Sequence, residues 1–373
     1  MLALLLITAT VLWLAYANGA NDNFKGVATL FGSGTSEYPS ALRWATVTTF
    51  AGSLASIVVG AGLVATFSGK GLVPDAVLAD SGFASAVACA AATTVFMATR
   101  VGFPISTTHA LVGGLVGAGL AARGMGGVNL AALGAAFVAP LVIAPLAAIA
   151  LTAAAYPFLH GTRRALGFAR ETCVCVGEEV HVVAVDPRGG TLATSVTDGL
   201  PTLTIASPQE CFQRYSGHMA GVSVQTILDR LHYLSAGAVC FARGLNDTPK
   251  VVALLVTAHA LHVPFAAAIV TVAMAIGGLI GARRVAETMS NRITAMNHGQ
   301  GLTANLATAL LVIWASRWGL PVSTTHVSCG ALFGIGAVTG RAHWRAIGTI
   351  GVAWITTLPV SACLAAAAYL VIG

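Results

Sequence analysis

Long apolar runs separated by short polar stretches make up most of this chain. The first run, Met1 to Tyr16, leads directly into GANDNFKGVATLFGSG at residues 19–34. A later run is interrupted at residues 244–255 by GLNDTPKVVALL. Because about twenty apolar residues span a bilayer, the runs predict an all-α polytopic membrane protein with about ten embedded segments. The first run lacks a basic leader, and we expect a membrane span there rather than a cleaved signal peptide.

A second pattern along the chain is an internal repeat. RVGFPISTTHALVGGLVGAG, starting at Arg100, aligns without gaps to RWGLPVSTTHVSCGALFGIG, starting at Arg317, at an offset of 217 positions. The two Asn-Asp stretches are related by a similar offset of 225 positions. The repeat predicts two membrane halves, residues 1–159 and 231–373, with discontinuous helices. In each half we expect a helix broken at N-D-x-x-K and, further on, a P-x-S-T-T-H turn.

The segment between the halves, residues 160–230, has a different composition. It holds seven of the thirteen acidic residues of the chain. Apolar and polar residues alternate from Val180 to Val185, and the turn sequence DPRGG follows. These features predict a small soluble insert with short β-strands. Cys173 and Cys175 with His181 are too weak a motif to predict a metal site, and the scattered cysteines indicate no disulfide framework.

Arginines flank the apolar runs and predict the orientation of the two halves. One group follows the first half, and a second group follows the second span of the second half: Arg163, Arg164, Arg170, Arg283, Arg284 and Arg292. Because basic loops stay on the cytoplasmic side, we expect both regions, including the insert, in the cytoplasm. An odd number of crossings in each half then makes the halves inverted-topology repeats.

Each half also contains two apolar segments that meet at the P-x-S-T-T-H turn. The pairs are residues 81–99 with 106–122 and residues 303–316 with 323–338. Irregular backbone inside a membrane is tolerated only where protein or a watery cavity satisfies it. We expect each pair to be a re-entrant hairpin that ends at such a site, although two full crossings would preserve the same parity.

Composition supports the membrane assignment and narrows the partners. Hydrophobic residues make up 56% of the chain and charged residues 9%, against about a quarter charged in soluble domains. The net charge of +6 does not predict nucleic-acid binding, because the basic residues form no stripe with interleaved aromatic groups. The expected surroundings are therefore the lipid bilayer. The sequence contains no arrangement of nucleophile, base and orienting acid, and we expect neither catalytic residues nor an enzyme.

The two P-x-S-T-T-H turns have the chemistry of an anion site. Proline prevents the preceding helix from continuing, and Ser-Thr-Thr supplies caps for the next helix. Free amides and the positive end of the helix dipole attract anions there. Two such helix starts predict that one tetrahedral oxyanion is bound by Ser106, Thr107, Thr108, Ser323, Thr324 and Thr325. The alternative is that these hydroxyls only cap and pack membrane helices.

The Asn-Asp stretches place ionisable side chains within the membrane, where they are costly and usually functional. The matched residues are Asn21, Asp22, Lys25, Asn246, Asp247 and Lys250. We expect them to hold a coupling ion or to balance its charge, with a structural Asp-Lys pair at i,i+3 as the alternative. His109 and His326, which close the two turns, are candidates for a proton relay or for buried structural histidines.

These motifs resemble those of the inorganic phosphate transporter (PiT) family. The similarity lies in GAND with a following GSG, in GLND and in both P-x-S-T-T-H turns, and it covers both membrane halves but not the insert. The resemblance implies inverted repeats, inorganic phosphate between the two S-T-T turns, and symport coupled to a cation, H⁺ or Na⁺, at the Asn-Asp positions. No other cofactor is implied. We also expect a location in a bacterial inner membrane and a homodimer.

The chain departs from the family pattern at one matched pair of positions. Lys25 and Lys250 stand where the pattern G-A-N-D-x-x-N has asparagine. A tethered ammonium beside each aspartate can take the charge-balancing role of sodium, which favours coupling to protons. Two alternatives for function stay open: a permease for sulfate or another tetrahedral oxyanion, and an uncoupled anion channel.

Overall fold

A computed structural model describes residues 1–80, 82–169, 171–178, 180–182, 194–196, 201–215 and 219–373. These residues form two compact units. One consists of Met1–Tyr156 with His232–Gly373, and the other is Pro157–Leu231. Three features of the sequence interpretation lie outside the described residues: Ser81, Arg170 and the DPRGG turn at residues 186–190.

Most of the described residues are helical. The helices of the first half are α1 (Leu2–Asp22), α2 (Ala28–Gly32), α3 (Tyr38–Val59), α4 (Ala61–Phe67), α5 (Asp75–Leu78), α6 (Phe83–Val101), α7 (Thr107–Arg123), α8 (Leu130–Ala132) and α9 (Ala139–Ala165). The insert contributes α10 (Pro208–Arg214). The second half has α11 (Val224–Thr257), α12 (Val263–Gly281), α13 (Arg283–Glu287), α14 (His298–Arg317), α15 (Thr324–Thr339) and α16 (Trp344–Ile372).

Seven helices in the described part of the chain are long and apolar enough to cross a bilayer. They are α1, α3, α6, α7 extended to Gly127, the segment Leu130–Ala165, α12 and α16. Only 17% of the apolar window of α16 is buried within the protein, so its remaining apolar surface is suited to contact lipid. The chain is therefore an integral membrane protein. The prediction of an all-α polytopic membrane protein with a small β-containing insert is confirmed.

The two Asn-Asp stretches have different backbones. In the first half α1 ends at Asp22, and hydrogen-bonded turns lead from there to α2. In the second half α11 is continuous from Val224 to Thr257 although Pro249 lies inside it. The expected break at N-D-x-x-K is therefore correct for the first half and wrong for the second. Packing accommodates the proline ring, because Gly60 has no side chain and a Cβ there would lie 2.7 Å from Pro249 Cγ.

The P-x-S-T-T-H turns join two helical hairpins, α6 with α7 and α14 with α15. Gly102 after α6 has a φ of 79°, and Gly319 after α14 has a φ of 67°. This left-handed conformation favours glycine and ends both helices, so that Pro104 and Pro321 follow in non-helical chain. Both hairpins contain the paired segments expected from the sequence, and their re-entrant placement in the bilayer stays a prediction.

The insert contains antiparallel β-strands. Its described strands are β1 (Cys173–Gly177), β2 (Val180–Val182), β3 (Thr194–Val196), β4 (Thr202–Ala206) and β5 (Met219–Ser223). β1 lies between β4 and β5 in one sheet, and β2 pairs with β3. Strand formation in this segment agrees with the alternating pattern of the sequence.

A disulfide joins β1 to α10. It links Cys175 to Cys211, 36 residues apart, and corrects the expectation that the cysteines form no disulfide. The spacing of the two cysteines along the chain does not predict this pair, because only the fold places α10 over the inward face of β1. Ser207 and Glu210 start α10 with a capping box, and the hydrogen bonds from Ser207 hold the pKa of the exposed Glu210 carboxyl below its usual value.

Glycines let α1 and α12 approach each other backbone to backbone. A Cβ on Gly19 would lie 2.0 Å from Met274 O, and a Cβ on Gly277 would lie 2.0 Å from Tyr16 O. We expect Gly19→Ala to lower the free energy of unfolding by about 1–3 kcal/mol, because the helices must separate. Gly348→Ala in α16 is the control, since its Cβ would meet no atom within 4 Å. Thermal unfolding in detergent measures both, and equal stability of the two variants would contradict this account.

Candidate anion-binding site

Serine caps start both helices that follow the P-x-S-T-T-H turns. Ser106 Oγ accepts a hydrogen bond from the amide of His109 at 3.1 Å. Ser323 Oγ accepts one from the amide of His326 at 3.2 Å. The helical ladder of α7 starts one residue later, where the amide of Ala110 donates to Ser106 O. The threonine amides of each turn therefore lie before the first hydrogen bond of the helix. Like the first amides of any helix, they point their N–H groups out of the helix start.

The two turns contact each other in a reciprocal way. Thr325 Oγ1 donates to the carbonyl of Ile105 at 2.8 Å, and Thr108 Oγ1 donates to the carbonyl of Val322 at 3.3 Å. These residues correspond to one another at the offset of 217 positions. Reciprocal contacts of this kind place the turns on opposite sides of a pseudo-twofold axis. The structure thus brings together the two helix starts that the sequence separates by more than two hundred residues.

The asparagines of the Asn-Asp stretches hold the turns in place. Asn21 Nδ2 donates to Thr99 Oγ1 at 2.8 Å and to the carbonyl of Phe103 at 3.0 Å. In the second half, Asn246 Nδ2 donates to the carbonyl of Val322 at 3.2 Å and Oδ1 accepts from Ser316 Oγ at 3.2 Å. Both asparagines therefore use their amides to position the backbone that leads into the turns.

Each lysine joins its own aspartate to the turn of the opposite half. Lys25 Nζ contacts Asp22 Oδ1 and donates to the hydroxyl of Thr325 at 2.5 Å. It also donates to Asn21 Oδ1 at 2.8 Å and to the carbonyl of Ile105 at 2.9 Å. The ammonium is thus surrounded by amide, carboxylate, carbonyl and hydroxyl oxygens, and its side chain is buried.

Lys250 repeats this arrangement in the other half. Its Nζ lies 3.3 Å from Asp247 Oδ1, 2.8 Å from Thr108 Oγ1 and 2.7 Å from the carbonyl of Val322. The predicted Asp-Lys pairs at i,i+3 are therefore present. Because each lysine also reaches the opposite half, the pairs do more than stabilise one helix.

The two aspartates approach each other around a residue that the sequence analysis did not single out. Asn18 Nδ2 lies 3.0 Å from Asp22 Oδ2 and 3.4 Å from Asp247 Oδ2. The hydroxyls of Thr107 and Thr324 lie 3.4 Å from the same two carboxylate oxygens. One face of each carboxylate therefore points to a lysine, and the other points to the first threonine of a turn.

A third cationic side chain, Arg243, completes the cluster. Its guanidinium is 1% exposed, donates to Asn18 Oδ1 at 2.7 Å, and has its Nε 3.6 Å from Asp247 Oδ2. The sequence contains a signal for this residue. Position 243 is related to Asn18 by the same offset of 225 positions that relates the two aspartates, and an arginine inside an apolar helix is costly.

The two histidines that close the turns lie against each other. The ring centroids of His109 and His326 are 4.4 Å apart, and His326 stacks on Trp354 at 3.8 Å. Within the described part of the chain, Nδ1 of His109 and Nε2 of His326 have no hydrogen-bond partner. The histidines thus form a pair beside the turns, and they do not contact the aspartates through any described hydrogen bond.

Two repeats whose helix starts meet at buried charges are the arrangement that membrane transporters use to build substrate sites. A model of the phosphate transporter family matches residues 18–365 of this chain. The chain belongs to that family. The resemblance seen in the sequence motifs is thereby confirmed.

Individual relatives are similar over nearly the whole chain. The Rhizobium meliloti protein named "Probable low-affinity inorganic phosphate transporter" is 26% identical, over 97% of this chain and 94% of its own length. An inorganic phosphate transporter of Arabidopsis chloroplasts is 26% identical, over 97% of this chain and 71% of its own length. A solved structure, titled as the sodium-dependent phosphate transporter, has a similar fold with a TM-score of 0.76 at 21% identity, covering 100% of this chain and 99% of that one.

Proposed function

We propose that this protein imports inorganic phosphate as a secondary transporter that works by alternating access. The observation that carries the proposal is the reciprocal contact between the two S-T-T turns, with buried cations on both sides. Helix starts of opposite halves that meet at one point can bind one anion jointly and can be separated by rocking of the repeats. Membership of the phosphate transporter family supports phosphate as that anion.

The anion is bound, in this proposal, by Ser106, Thr107, Thr108, Ser323, Thr324 and Thr325. The threonine amides supply the N–H donors, and the positive ends of α7 and α15 add to the attraction. The hydroxyls of Thr108 and Thr325 already contact the two lysine ammonium groups. An anion between the turns would therefore be near two positive charges as well as hydrogen-bond donors. Hydrogen bonds that involve a charged group are stronger than neutral ones.

Coupling is proposed to use protons rather than sodium. Each lysine ammonium is held by the kinds of oxygen, carbonyl, carboxylate and amide, that hard cations also prefer. Occupation of that position by a tethered cation favours a proton as the coupling ion. Asn21, Asp22, Asn246 and Asp247 form the coupling region with Lys25 and Lys250, and His109 with His326 is the candidate proton relay.

The surroundings of the protein complete the proposal. We place the protein in a bacterial inner membrane and propose a homodimer. The arginines predict that the insert lies in the cytoplasm, although its Cys175–Cys211 disulfide is typical of an oxidising compartment. The second candidate function is transport of sulfate or another tetrahedral oxyanion. Hydrogen phosphate can donate a proton to a carboxylate whereas sulfate cannot, and the carboxylates lie beside the turns, which favours phosphate.

Uptake of labelled phosphate into proteoliposomes tests the function. With a proton gradient and no sodium, we expect accumulation of about tenfold per coupled proton for each pH unit. Arsenate in excess should compete and sulfate should not. Strict sodium dependence would reject the proton coupling, and uptake of sulfate in place of phosphate would select the second candidate. Current without accumulation would indicate an anion channel.

A further inference from the structure

Arg243 breaks the symmetry of an otherwise symmetric charge cluster. The matched residues of the two halves are identical at the aspartates and at the lysines, but the partner position of Arg243 is occupied by Asn18. The guanidinium and the Asn18 amide are in direct contact, with 2.7 Å between the arginine nitrogen and Asn18 Oδ1. One further arginine nitrogen donates to Asn23 Oδ1 at 3.2 Å. The two equivalent positions thus form a single hydrogen-bonded pair in the middle of the cluster.

Two carboxylate oxygens face this pair on the side away from the lysines. The Oδ2 atoms of Asp22 and Asp247 both lie within 3.4 Å of Asn18 Nδ2, so two carboxylates converge on one neutral amide. Each lysine faces the Oδ1 atom of its own aspartate and leaves the Oδ2 side without a positive charge. Arg243 Nε is 3.6 Å from Asp247 Oδ2 and supplies that charge on this side.

The third cation changes the total charge of the cluster. With His109 and His326 counted as neutral, two carboxylates stand against three cationic side chains, Lys25, Lys250 and Arg243. One positive charge remains in a buried region, where an unbalanced charge is unfavourable. A monovalent tetrahedral anion between the turns would neutralise it. A divalent anion such as sulfate would leave one negative charge and would require an added cation.

We infer that Arg243 supplies the positive charge that lets the site bind phosphate as a monovalent anion with no metal cation. The inference rests on the proposed function and adds to it the ionic form of the substrate. Arg243 acts as a positioning and charge-balancing residue, since its guanidinium donates to Asn18 and Asn23 and lies beside Asp247. Its positive charge replaces the charge that a bound sodium ion would supply beside the carboxylates.

Binding of labelled phosphate to the purified full-length protein, in sodium-free buffer and in sodium, tests this inference. Wild-type protein should bind equally in both buffers. Without sodium, Arg243→Gln should bind phosphate at least about tenfold more weakly than wild type, and sodium should restore binding. Arg243→Lys should bind phosphate without needing sodium, because it keeps the charge. Arg43→Gln, which removes an exposed arginine of α3, is the control for arginine loss.

A second variant keeps Arg243 and cancels its charge. Asn18→Asp places a carboxylate at the position that now accepts from the guanidinium, so it should show the same sodium-dependent binding even if Arg243→Gln does not fold. Sodium-independent binding by Asn18→Asp would overturn the inference, as would sodium dependence of the wild-type protein. Equal weakening by Arg243→Lys and Arg243→Gln that sodium does not relieve would also overturn it. Absence of phosphate binding by wild type in either buffer would instead reject the proposed function.

Discussion

Replacing Lys25 and Lys250 together by asparagine is expected to make phosphate uptake dependent on sodium. The substitution removes both ammonium groups and leaves two buried carboxylates facing Arg243 alone. It also removes one donor from each of the oxygens of Asn21, Ile105 and Thr325, all within 2.9 Å of the present Lys25 Nζ position. Because an unbalanced buried charge costs several kcal/mol, uptake without sodium should fall by at least about tenfold, and sodium should restore it.

The chain offers a matched control for this prediction. Its third lysine, Lys70, is exposed, and Lys70→Asn should leave uptake and its ion dependence unchanged. Initial rates of phosphate uptake into proteoliposomes, with sodium or choline outside, measure the effect. If the double variant transports at the wild-type rate in choline, the lysines do not balance the charge of the aspartates. If it is inactive in both media although correctly folded, the lysines are needed for transport itself.

The second large effect is expected from Asp247→Asn. Asp247 accepts hydrogen bonds from Lys250 and from the amide of Asn246, and it forms an ion pair with Arg243. Its side chain is 4% exposed. Removing its charge leaves three buried cations, Lys25, Lys250 and Arg243, against the single carboxylate of Asp22. Breaking a buried ion pair in this way costs about 3–5 kcal/mol. We therefore expect a fall of several degrees in the unfolding temperature in detergent and loss of phosphate transport.

The effect of added phosphate on the unfolding temperature should distinguish a local charge effect from general destabilisation. With one negative charge fewer, the cluster carries more positive charge, so the stabilisation of Asp247→Asn by phosphate should exceed that of wild type. Glu287→Gln is the control: this carboxylate is half exposed, and its pair with Arg283 is an exposed one of little energetic value. An unfolding temperature of Asp247→Asn equal to that of Glu287→Gln would show that the buried pair contributes little.

The chemistry of the site could be anticipated only where its signals are local. The S-T-T turns are recognisable because proline, glycine and capping serine act within one turn of helix, and Ser106 and Ser323 do cap their helices as expected. The repeat offset identified both aspartates and both lysines in the same way. The same offset relates position 243 to Asn18, but the two residues differ in type, so the repeat does not predict a role for either.

Other features depend on contacts between distant segments. Lys25 reaches Thr325, 300 positions away, and nothing near either residue predicts that contact. Helix α11 continues through Pro249, and Gly60, which leaves room for the proline ring, lies in the other half of the chain. The bond between Cys175 and Cys211 likewise requires strand β1 and α10 to be adjacent first.

The sequence by itself determined that this is a duplicated membrane protein of the phosphate transporter type, because apolar run length, repeat offset and helix-cap motifs are properties of short segments. Only the tertiary structure decided how the charges are shared: which lysine contacts which turn, and that Arg243 lies beside Asp247 and Asn18. The physical reason is that charge balance in a buried cluster depends on distances of a few ångströms between helices. Those distances are set by packing of both halves together, and no single stretch of the chain contains them.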